Sequence, residues 1–283
     1  MGSLREIPVS LVADRVRELF LEANWTLGAD VRAVIEGARD AEDSELGRWA
    51  FDQIVENIDA ARRELLPLCQ DTGLAVVFIE IGQDVHLVGG HLVDAVNEGV
   101  RRAYGEGYFR KSVCDPLTRT NTGDNTPAVI HVEIVPGDQL HLLVMPKGGG
   151  SENMSTVEML TPSAGEEGIK RYIVETVRRA GPNPCPPIIV GVGIGGSMEA
   201  AALLAKKTLA RSPGRPNEKD PRLATLEREL LDEINALGIG AQGYGGTTTA
   251  LAVHVDMIPC HIASLPVAVN IQCHVARHRE TII

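Results

Sequence analysis

Residues 128–145 read AVIHVEIVPGDQLHLLVM. Two apolar runs, Ala128–Val135 and Leu140–Met145, flank the turn-forming segment Pro136-Gly137-Asp138-Gln139. Alternating apolar runs on either side of such a short turn are typical of a β-hairpin. The stretch therefore predicts two neighbouring antiparallel strands.

The chain before this stretch is dominated by helical spacing. Apolar residues recur at that spacing from Leu11 to Phe20 and from Leu46 to Ile58, which predicts a helical subregion over residues 1–66. Further helices are predicted near residues 90–104, 166–179, 198–209 and 222–237, and further strands near 74–81, 188–190, 250–255 and 267–271. We expect one α+β domain over residues 1–283, with an N-terminal helical layer packed with a largely antiparallel or mixed sheet and flanking helices.

The composition describes a folded, acidic protein. The chain has 283 residues, of which 44% are hydrophobic, so it can bury a substantial core, and by size alone it is large enough for a complete enzyme. It has 27 Lys and Arg against 38 Asp and Glu, a net charge of −11, and only 4% aromatic residues. These values argue against a surface for nucleic acid, whereas a local pocket for a small anion is compatible with them.

The N-terminus and two uncharged stretches bear on location. No basic segment followed by an apolar run opens the chain, so a cytoplasmic location is expected. Ala180–Met198 and Met257–Ala276 contain no Asp, Glu, Lys or Arg, but prolines and polar side chains make both unsuitable as membrane spans. We interpret both as buried chain near a functional site.

The five cysteines include no Cys-x-x-Cys pair, and a disulfide framework is not expected in the cytoplasm. Cys69, Cys185 and Cys273 lie in turn-like or polar contexts, the last two in the uncharged stretches. Rigid, dry loops of this kind suit a thiolate-bound metal or an iron–sulfur cluster. Small buried hydrophobes are the alternative, and spacing alone does not decide, since five cysteines allow ten sets of three.

A glycine-rich motif occupies Gly191–Gly196 and matches the dinucleotide pattern G-x-G-x-x-G after a short apolar strand. A Rossmann fold would continue into a second strand ending in an acidic residue about 20 positions on, but the chain instead enters the proline-rich segment Arg211–Pro221. Close packing of a strand against a helix is the favoured interpretation of these glycines. A nicotinamide-dependent dehydrogenase is the remote alternative.

Two short basic segments are candidate anion sites. Lys147 precedes Gly148-Gly149-Gly150, whose backbone N–H groups can approach a carboxylate or phosphate, although the same composition also fits a flexible loop. Arg110 follows Phe109 and offers a second anion contact, although basic pairs are common on surfaces.

Two titratable residues are candidates for catalysis. Asp71, two residues after Cys69, is placed to act as a general acid or base, but an Asp before Thr-Gly also suits a turn in which it accepts a backbone hydrogen bond. His261 is placed to orient a substrate, or it is a hydrogen-bonded structural histidine.

Together these residues resemble the class I, oxygen-sensitive iron–sulfur fumarate hydratase family, which also includes the L(+)-tartrate dehydratases. The resemblance is to the α subunit or N-terminal domain of that family. It rests on six stretches in order, namely Leu68–Gly73 (LCQDTG), Asn121–Pro127 (NTGDNTP), Lys147–Ser155 (KGGGSENMS), Cys185–Gly196 (CPPIIVGVGIGG), His261–Pro266 (HIASLP) and Asn270–Arg277 (NIQCHVAR). Six motifs spread over most of the chain are far more specific than any one of them.

The resemblance implies a cofactor and a set of site residues. By motif position, Cys69, Cys185 and Cys273 correspond to the ligands of a 4Fe-4S cluster with one iron open to substrate, a Lewis acid suited to adding or removing water. Substrate contacts are implied for Gln70, Asp71, Arg110, Gly150 and His261. Within this set Asp71 is expected to act in proton transfer and Arg110 to hold a carboxylate.

The resemblance further implies that this chain is one part of an enzyme. The family's remaining arginines, a Thr and a Lys belong to a C-terminal domain or a separate β subunit, so we expect a two-subunit α2β2 enzyme that hydrates fumarate to L-malate, a reaction of the tricarboxylic acid cycle. An L(+)-tartrate dehydratase α subunit is the alternative within the same chemistry. A non-catalytic iron–sulfur scaffold is a third possibility, from a different functional class.

Overall fold

The computed structural model describes residues 4–283. The elements in chain order are β1 (Arg5–Pro8), α1 (Val9–Trp25), α2 (Ala29–Ala41), α3 (Glu45–Glu64), β2 (Leu74–Gly82), β3 (Val85–Val88), α4 (Leu92–Glu106), β4 (Val129–Val135), β5 (Leu140–Lys147), α5 (Gly149–Glu152), β6 (Thr156–Leu160), α6 (Gly165–Ala180), β7 (Ile188–Gly195), α7 (Met198–Thr208), α8 (Pro221–Asn235), β8 (Ala250–Ile258), β9 (Leu265–Gln272) and β10 (Arg279–Ile282). Two compact units result, unit 1 with residues 4–27, 58–149 and 277–283, and unit 2 with residues 28–57 and 150–276. Helices and mixed sheets confirm the predicted α+β class.

Unit 1 is built on a mixed sheet with the strand order β10-β5-β2-β4. β2 runs parallel to β4 and antiparallel to β5, and β10 is antiparallel to β5. β1 and β3 form a separate parallel pair. The core of the unit joins apolar side chains of α1 and α4, such as Phe20 and Val100, to Ile79 and Leu142 of the sheet.

The predicted hairpin at 128–145 is wrong, although both of its strands exist. β4 and β5 do not pair with each other, because β2 lies between them. The connecting turn crosses the end of β2, where the Gly82 N–H donates to the Gln139 carbonyl at 2.8 Å. Gly82 permits the crossing because a Cβ there would lie only 2.4 Å from the Gly137 oxygen. The turn residues predict where the chain reverses, but they carry no information about which strand fills the gap.

Unit 2 contains a second mixed sheet with the order β6-β9-β7-β8. β7 runs parallel to β8 and antiparallel to β9, and β6 is antiparallel to β9. Alternate residues of β7, including Val190 and Val192, join the core formed with α6 and α8. The residues between them face α7 on the opposite side of the sheet.

The glycines of the dinucleotide-like motif serve this packing. A Cβ at Gly191 would lie 2.2 Å from the Ala205 oxygen, and one at Gly193 would lie 2.2 Å from the Ala201 oxygen. Only glycine therefore allows α7 to approach β7 this closely. The element after α7 is another helix, α8, so the strand that a Rossmann fold requires is missing from this position. The packing interpretation is confirmed.

Within the described chain, no helix is both long enough and apolar enough to cross a membrane.

Candidate functional site

The Leu68–Gly73 loop, which leads into β2, holds Asp71 by both carboxylate oxygens. Oδ1 accepts a hydrogen bond from the Gly73 N–H at 3.0 Å, which is the turn contact expected for an Asp before Thr-Gly. Oδ2 accepts from the Gly149 N–H at 2.7 Å. The carboxylate is half-buried, and its position is set by two backbone donors from segments far apart in sequence.

Gly149, in the glycine-rich loop after β5, thus contacts an anionic side chain of the same unit, Asp71. Lys147 is buried, and its backbone passes so close to Gly73 that a Cβ there would lie 2.7 Å from the Lys147 nitrogen. Gly73 also has a φ of 78°, in the left-handed region that favours glycine. The Gly149 N–H is thus used by the protein's own Asp71 carboxylate, and a binding site for a substrate anion at this loop stays a prediction.

Arg110 lies beside the same loop. The Thr72 hydroxyl donates to the Arg110 carbonyl at 2.8 Å, which places Arg110 next to the residue that follows Asp71. Phe109 is buried against Tyr104 and Trp25 and anchors the backbone, while the Arg110 side chain is exposed. Unit 1 therefore combines a fixed carboxylate and an accessible guanidinium.

Tyr104 holds the backbone of the Leu68–Gly73 loop by hydrogen bonds. Its hydroxyl is buried and donates to the carbonyls of Thr72, at 2.7 Å, and Gly73, at 3.1 Å. Burial raises the pKa of Tyr104 far above its ordinary value, against the opposing effect of the Arg277 charge. Tyr104 therefore stays a hydrogen-bond donor, and the Asn125 side chain adds a further bond to Gly73 at 3.2 Å.

Arg277 contacts the candidate site and was not predicted from the sequence. It is 2% exposed, and its Nη2 donates to the Asp71 backbone carbonyl. Its Nε and Nη1 are buried without a hydrogen-bond partner among residues 4–283. Buried polar groups are nearly always paired, so a buried cation with two unmatched N–H groups is unusual. One signal was available, because Arg277 is the first charged residue after the uncharged stretch Met257–Ala276.

In unit 2, the structure brings Cys185 and Cys273 to the same end of the sheet. Cys185 precedes β7 and Cys273 follows β9, and these strands are antiparallel neighbours with Ile189 opposite Gln272. The start of one strand and the end of the other therefore coincide. The Cys185 carbonyl accepts hydrogen bonds from the backbone N–H of His274 at 3.5 Å and from its Nδ1 at 3.0 Å.

Cys185 is also conformationally unusual. It is exposed and has a φ of 56°, a left-handed conformation that is strained for a residue with a Cβ. Its neighbour Pro186 accepts two hydrogen bonds from Gln242, one from the backbone N–H at 2.7 Å and one from the side chain at 2.8 Å. Gln242 Nε2 also lies 3.2 Å from His274 Nδ1, so Gln242 lies close to the loops of both cysteines. Its role was not predicted from the sequence.

Gly150 lies near the same end of unit 2. A Cβ at Gly150 would be 3.7 Å from the Asn183 oxygen, two residues before Cys185. The adjacent Ser151 hydroxyl is 3.4 Å from the side-chain oxygen of Gln272, which directly precedes Cys273. Three of the predicted residues, Gly150, Cys185 and Cys273, are thus neighbours in the fold.

His261 lies elsewhere in unit 2, in the exposed turn between β8 and β9. Its Nδ1 accepts from the Ala263 N–H at 3.1 Å, so in the neutral ring the proton is on Nε2. Cys273 follows the other end of β9, and eight residues of strand span roughly 25 Å. Within unit 2, His261 therefore does not share the end of the sheet that holds the two cysteines.

The remaining predicted residues lie in unit 1. Cys69 is half-buried, and its Sγ lies 3.4 Å from Oε1 of the exposed Gln70.

The two cysteines outside the predicted set lie apart from these loops in sequence. Cys114 forms an isolated β-bridge with Asn121, and the Sγ of Cys260, in unit 2, lies 3.2 Å from the Ser264 carbonyl. Among residues 4–283, no group of three or more His, Cys, Asp or Glu side chains is arranged to hold a metal ion. The assignment of Cys69, Cys185 and Cys273 as a ligand set stays a prediction.

Comparison with known proteins decides the family. A family model described as "Fumarate hydratase (Fumerase)" matches residues 13–282, which include every predicted site residue. The chain belongs to the fumarate hydratase family. The resemblance drawn from the six sequence motifs is thereby confirmed.

Relatives of this fumarate hydratase family member carry a related name. A Methanocaldococcus jannaschii protein named "Putative L(+)-tartrate dehydratase subunit alpha" is 44% identical over 268 residues, covering 93% of this chain and 94% of its own length. The L(+)-tartrate dehydratase subunit alpha of Escherichia coli strain K12 is 32% identical over 258 residues, covering 90% of this chain and 84% of its own. The corresponding protein of Escherichia coli O157:H7 is 33% identical over 258 residues.

The donor chemistry of the cysteines in this fumarate hydratase family member fits an iron–sulfur cluster. Cys185 and Cys273 present two thiols from loops that hydrogen bonds join, and the Cys185 side chain is exposed. Thiolates on rigid loops are the preferred ligands of such clusters.

Proposed function

We propose that this chain is the α subunit of a two-subunit iron–sulfur hydro-lyase that interconverts fumarate and L-malate. The family match and the names of the relatives, which are alpha subunits of dehydratases, support the hydro-lyase class. The observation that carries the proposal is the arrangement in unit 1. There, the Asp71 carboxylate is fixed by two N–H groups beside the exposed Arg110, which suits a proton-transfer group next to a binding site for a carboxylate.

The proposed cofactor is a 4Fe-4S cluster held by Cys69, Cys185 and Cys273. When bound, such a cluster would supply an open, Lewis-acidic iron that polarises the substrate hydroxyl group. The closeness of the Cys185 and Cys273 loops supports two of the three ligands.

The remaining chemistry belongs to side chains and backbone of this chain. Dehydration of L-malate removes a hydroxyl from one carbon and a proton from its neighbour, and hydration returns both. We assign Asp71 to proton transfer at a carboxylate oxygen and Arg110 to a substrate carboxylate, which a guanidinium binds with two parallel hydrogen bonds. Gln70 and the Gly150 backbone are further proposed substrate contacts. His261 was also predicted as one, but within unit 2 it lies at the opposite end of β9 from Gly150 and the two cysteines.

The proposed assembly is α2β2 and cytoplasmic, with the β subunit completing the substrate site. The name "subunit alpha" of the relatives supports a second kind of subunit. The isolated chain, even with its cluster, should then be nearly inactive. Fumarate hydration belongs to the tricarboxylic acid cycle, which would be the setting of the reaction.

The substrate can be tested with the reconstituted enzyme. The chain is loaded with iron and sulfide under anaerobic conditions, mixed with its β subunit, and assayed with fumarate, L-malate and L(+)-tartrate. Turnover of fumarate and L-malate that requires the β subunit is the expected result. Full activity of this chain alone would refute the two-subunit proposal, and inactivity with all three substrates would refute the hydro-lyase.

L(+)-Tartrate is the second candidate substrate, because the relatives that match most of the chain are named for it. Its dehydration to oxaloacetate removes the same two groups from a four-carbon diacid that bears one more hydroxyl than malate. A kcat/KM for tartrate well above that for L-malate in the same assay would replace the fumarate assignment.

The ligand set can be tested without measuring activity. Replacing Cys69, Cys185 or Cys273 by Ser should each lower the bound iron and the visible absorbance of the anaerobically loaded chain. Cys260→Ser is the matched control, because Cys260 is also exposed but lies at the other end of β9. Equal iron content in the control and in all three variants would refute the assignment.

A further inference from the structure

β4 forms the outer edge of the unit 1 sheet and is unusually apolar for an exposed edge. It pairs only with β2 among the described strands. Val132 is 51% exposed and Ile134 is 74% exposed. The strand, VIHVEIV, contains no Lys or Pro, the residues that most often protect an edge from pairing with another chain, and Glu133 is its single carboxylate. Such an edge is a template for a further strand.

The direction of the backbone groups of β4 follows from two contacts. The Val135 carbonyl accepts from the N–H of Gln83, which directly follows β2, so the groups of Val135 point toward β2. The Ala128 N–H instead donates to Asn97 of α4. Because successive residues of a strand point their N–H and C=O groups to alternate sides, the groups of Ile130, Val132 and Ile134 point outward from the sheet edge.

We propose that β4 pairs antiparallel with β4 of a second copy of this chain, about a two-fold axis at Val132. This register places Val132 opposite the partner's Val132 and Ile130 opposite the partner's Ile134. All three outward-pointing residues then form hydrogen-bonded pairs across the axis. The exposed Ile134 side chain is covered at the same time.

The side chains favour this register over the two registers whose axis is shifted by one residue. With the axis at Val132, His131 faces the partner's Glu133 on both sides, and cross-strand pairs of unlike polarity or charge stabilise a sheet. Moving the axis to His131 places the two histidines opposite each other. Moving it to Glu133 places two carboxylates opposite each other and brings Pro136 against Ile130. A closed two-fold contact of this kind is the commonest form of protein dimer.

This inference concerns the α–α contact within the proposed α2β2 enzyme and does not depend on the reaction. The test is the mass of the full chain in solution, alone and with its β subunit, by light scattering during size-exclusion chromatography. Val132→Pro removes an outward N–H that the native sheet does not use, so it should fold normally and yield monomers. Val132→Lys places two ammonium groups opposite each other and should weaken the dimer at least about tenfold.

The controls separate this contact from others. Leu46→Lys, at a residue of α3 that is 58% exposed, should leave the dimer unchanged. His131→Glu should weaken the dimer, and combining it with Glu133→His should restore it, because the unlike pair is regenerated only when the same strand faces itself. A monomeric wild-type chain, or a dimer that survives both Val132 substitutions, would overturn the proposal. Val132 substitutions that weaken binding of the β subunit but leave the α–α dimer intact would also overturn it. Hydro-lyase activity in a monomeric α chain with its β subunit would refute the dimer, and with it the α2β2 assembly, but would leave the proposed reaction standing.

Discussion

His254 in β8 is a buried residue that has no part in the proposed catalytic site. It is 1% exposed, and neither ring nitrogen has a hydrogen-bond partner among residues 4–283. Burial, followed by the positive charge of Arg211, lowers the pKa of His254 from an ordinary 6.5 to about 4. Arg211 itself is paired with the buried Glu227 at 2.6 Å, and the Glu227 carboxylate also accepts from the Val255 N–H at 2.8 Å. The imidazole is therefore neutral in the folded protein at physiological pH.

The sign of the pH effect follows from the lowered pKa. The unfolded chain binds a proton at this histidine as the pH falls through about 6.5, whereas the folded chain resists until about pH 4. The free energy of unfolding therefore decreases as the pH falls through this window, and above it the histidine contributes no pH dependence. At about 1.36 kcal/mol per pKa unit, the total loss is on the order of 3 kcal/mol.

His254→Leu removes this titration while keeping an apolar side chain of similar size. The free energy of unfolding of wild type and variant is measured by urea denaturation in steps from pH 7.5 to pH 4.5. We expect the difference between them to shift in favour of the variant by about 2 to 3 kcal/mol as the pH falls. The exposed His91, replaced by Leu in the same way, controls for the loss of a histidine. Parallel pH profiles for wild type and His254→Leu would refute the reasoning.

Three further predictions concern single contacts. Asp71→Asn should lower turnover of the reconstituted enzyme by about 10²–10⁴-fold with bound iron unchanged, and near-normal kcat would remove Asp71 from the mechanism. Arg277→Lys keeps the positive charge but loses the planar guanidinium that donates to the Asp71 backbone carbonyl, so kcat should fall about tenfold or more while the iron content stays constant. An unchanged kcat would show that the role of Arg277 is structural. Burial alone would raise the pKa of Glu42, but N–H groups of Thr247, Ser44 and Thr248 outweigh it and lower that pKa. Glu42→Gln should therefore lower the free energy of unfolding by about 1 to 3 kcal/mol at neutral pH, and this difference should shrink below about pH 4.5. Urea titrations of both proteins measure it, and equal stability at neutral pH would contradict the prediction.

The sequence predicted the elements whose apolar pattern was strong. α6, for example, was predicted at 166–179 and spans Gly165–Ala180, and β2 was predicted at 74–81 and spans Leu74–Gly82. α2, Ala29–Ala41, lies inside the predicted helical subregion 1–66 but was not predicted as a separate helix. Strand pairing was the harder problem, because the segment after β4 has the composition of a hairpin turn whether or not a third strand enters.

The sequence allowed candidate site residues to be named, but not the contacts between them. Asp71 was given two alternative roles, a turn residue and a catalytic group. The Gly73 N–H on Oδ1 confirms the turn contact, and the catalytic role stays a prediction. Arg277 was overlooked because its contact with Asp71 joins residues 206 positions apart. The neighbourhood of Cys185 and Cys273 depends on the pairing of β7 with β9, which no local pattern specifies.

The proposed binding of a dicarboxylate to this acidic chain requires a positive charge that is not already neutralised, and Arg110 meets this condition. Arg101, in the same unit, forms ion pairs with Glu98 at 2.5 Å and Asp124 at 3.0 Å, whereas Arg110 makes no ion pair within residues 4–283. A charge-assisted hydrogen bond contributes about 1.5 to 3 kcal/mol, so Arg110→Met should raise KM for fumarate roughly 10- to 100-fold. Arg101→Met is the matched control and should leave KM unchanged, because its charge is already used. An equal KM in wild type and Arg110→Met would show that the substrate carboxylates are held by other groups.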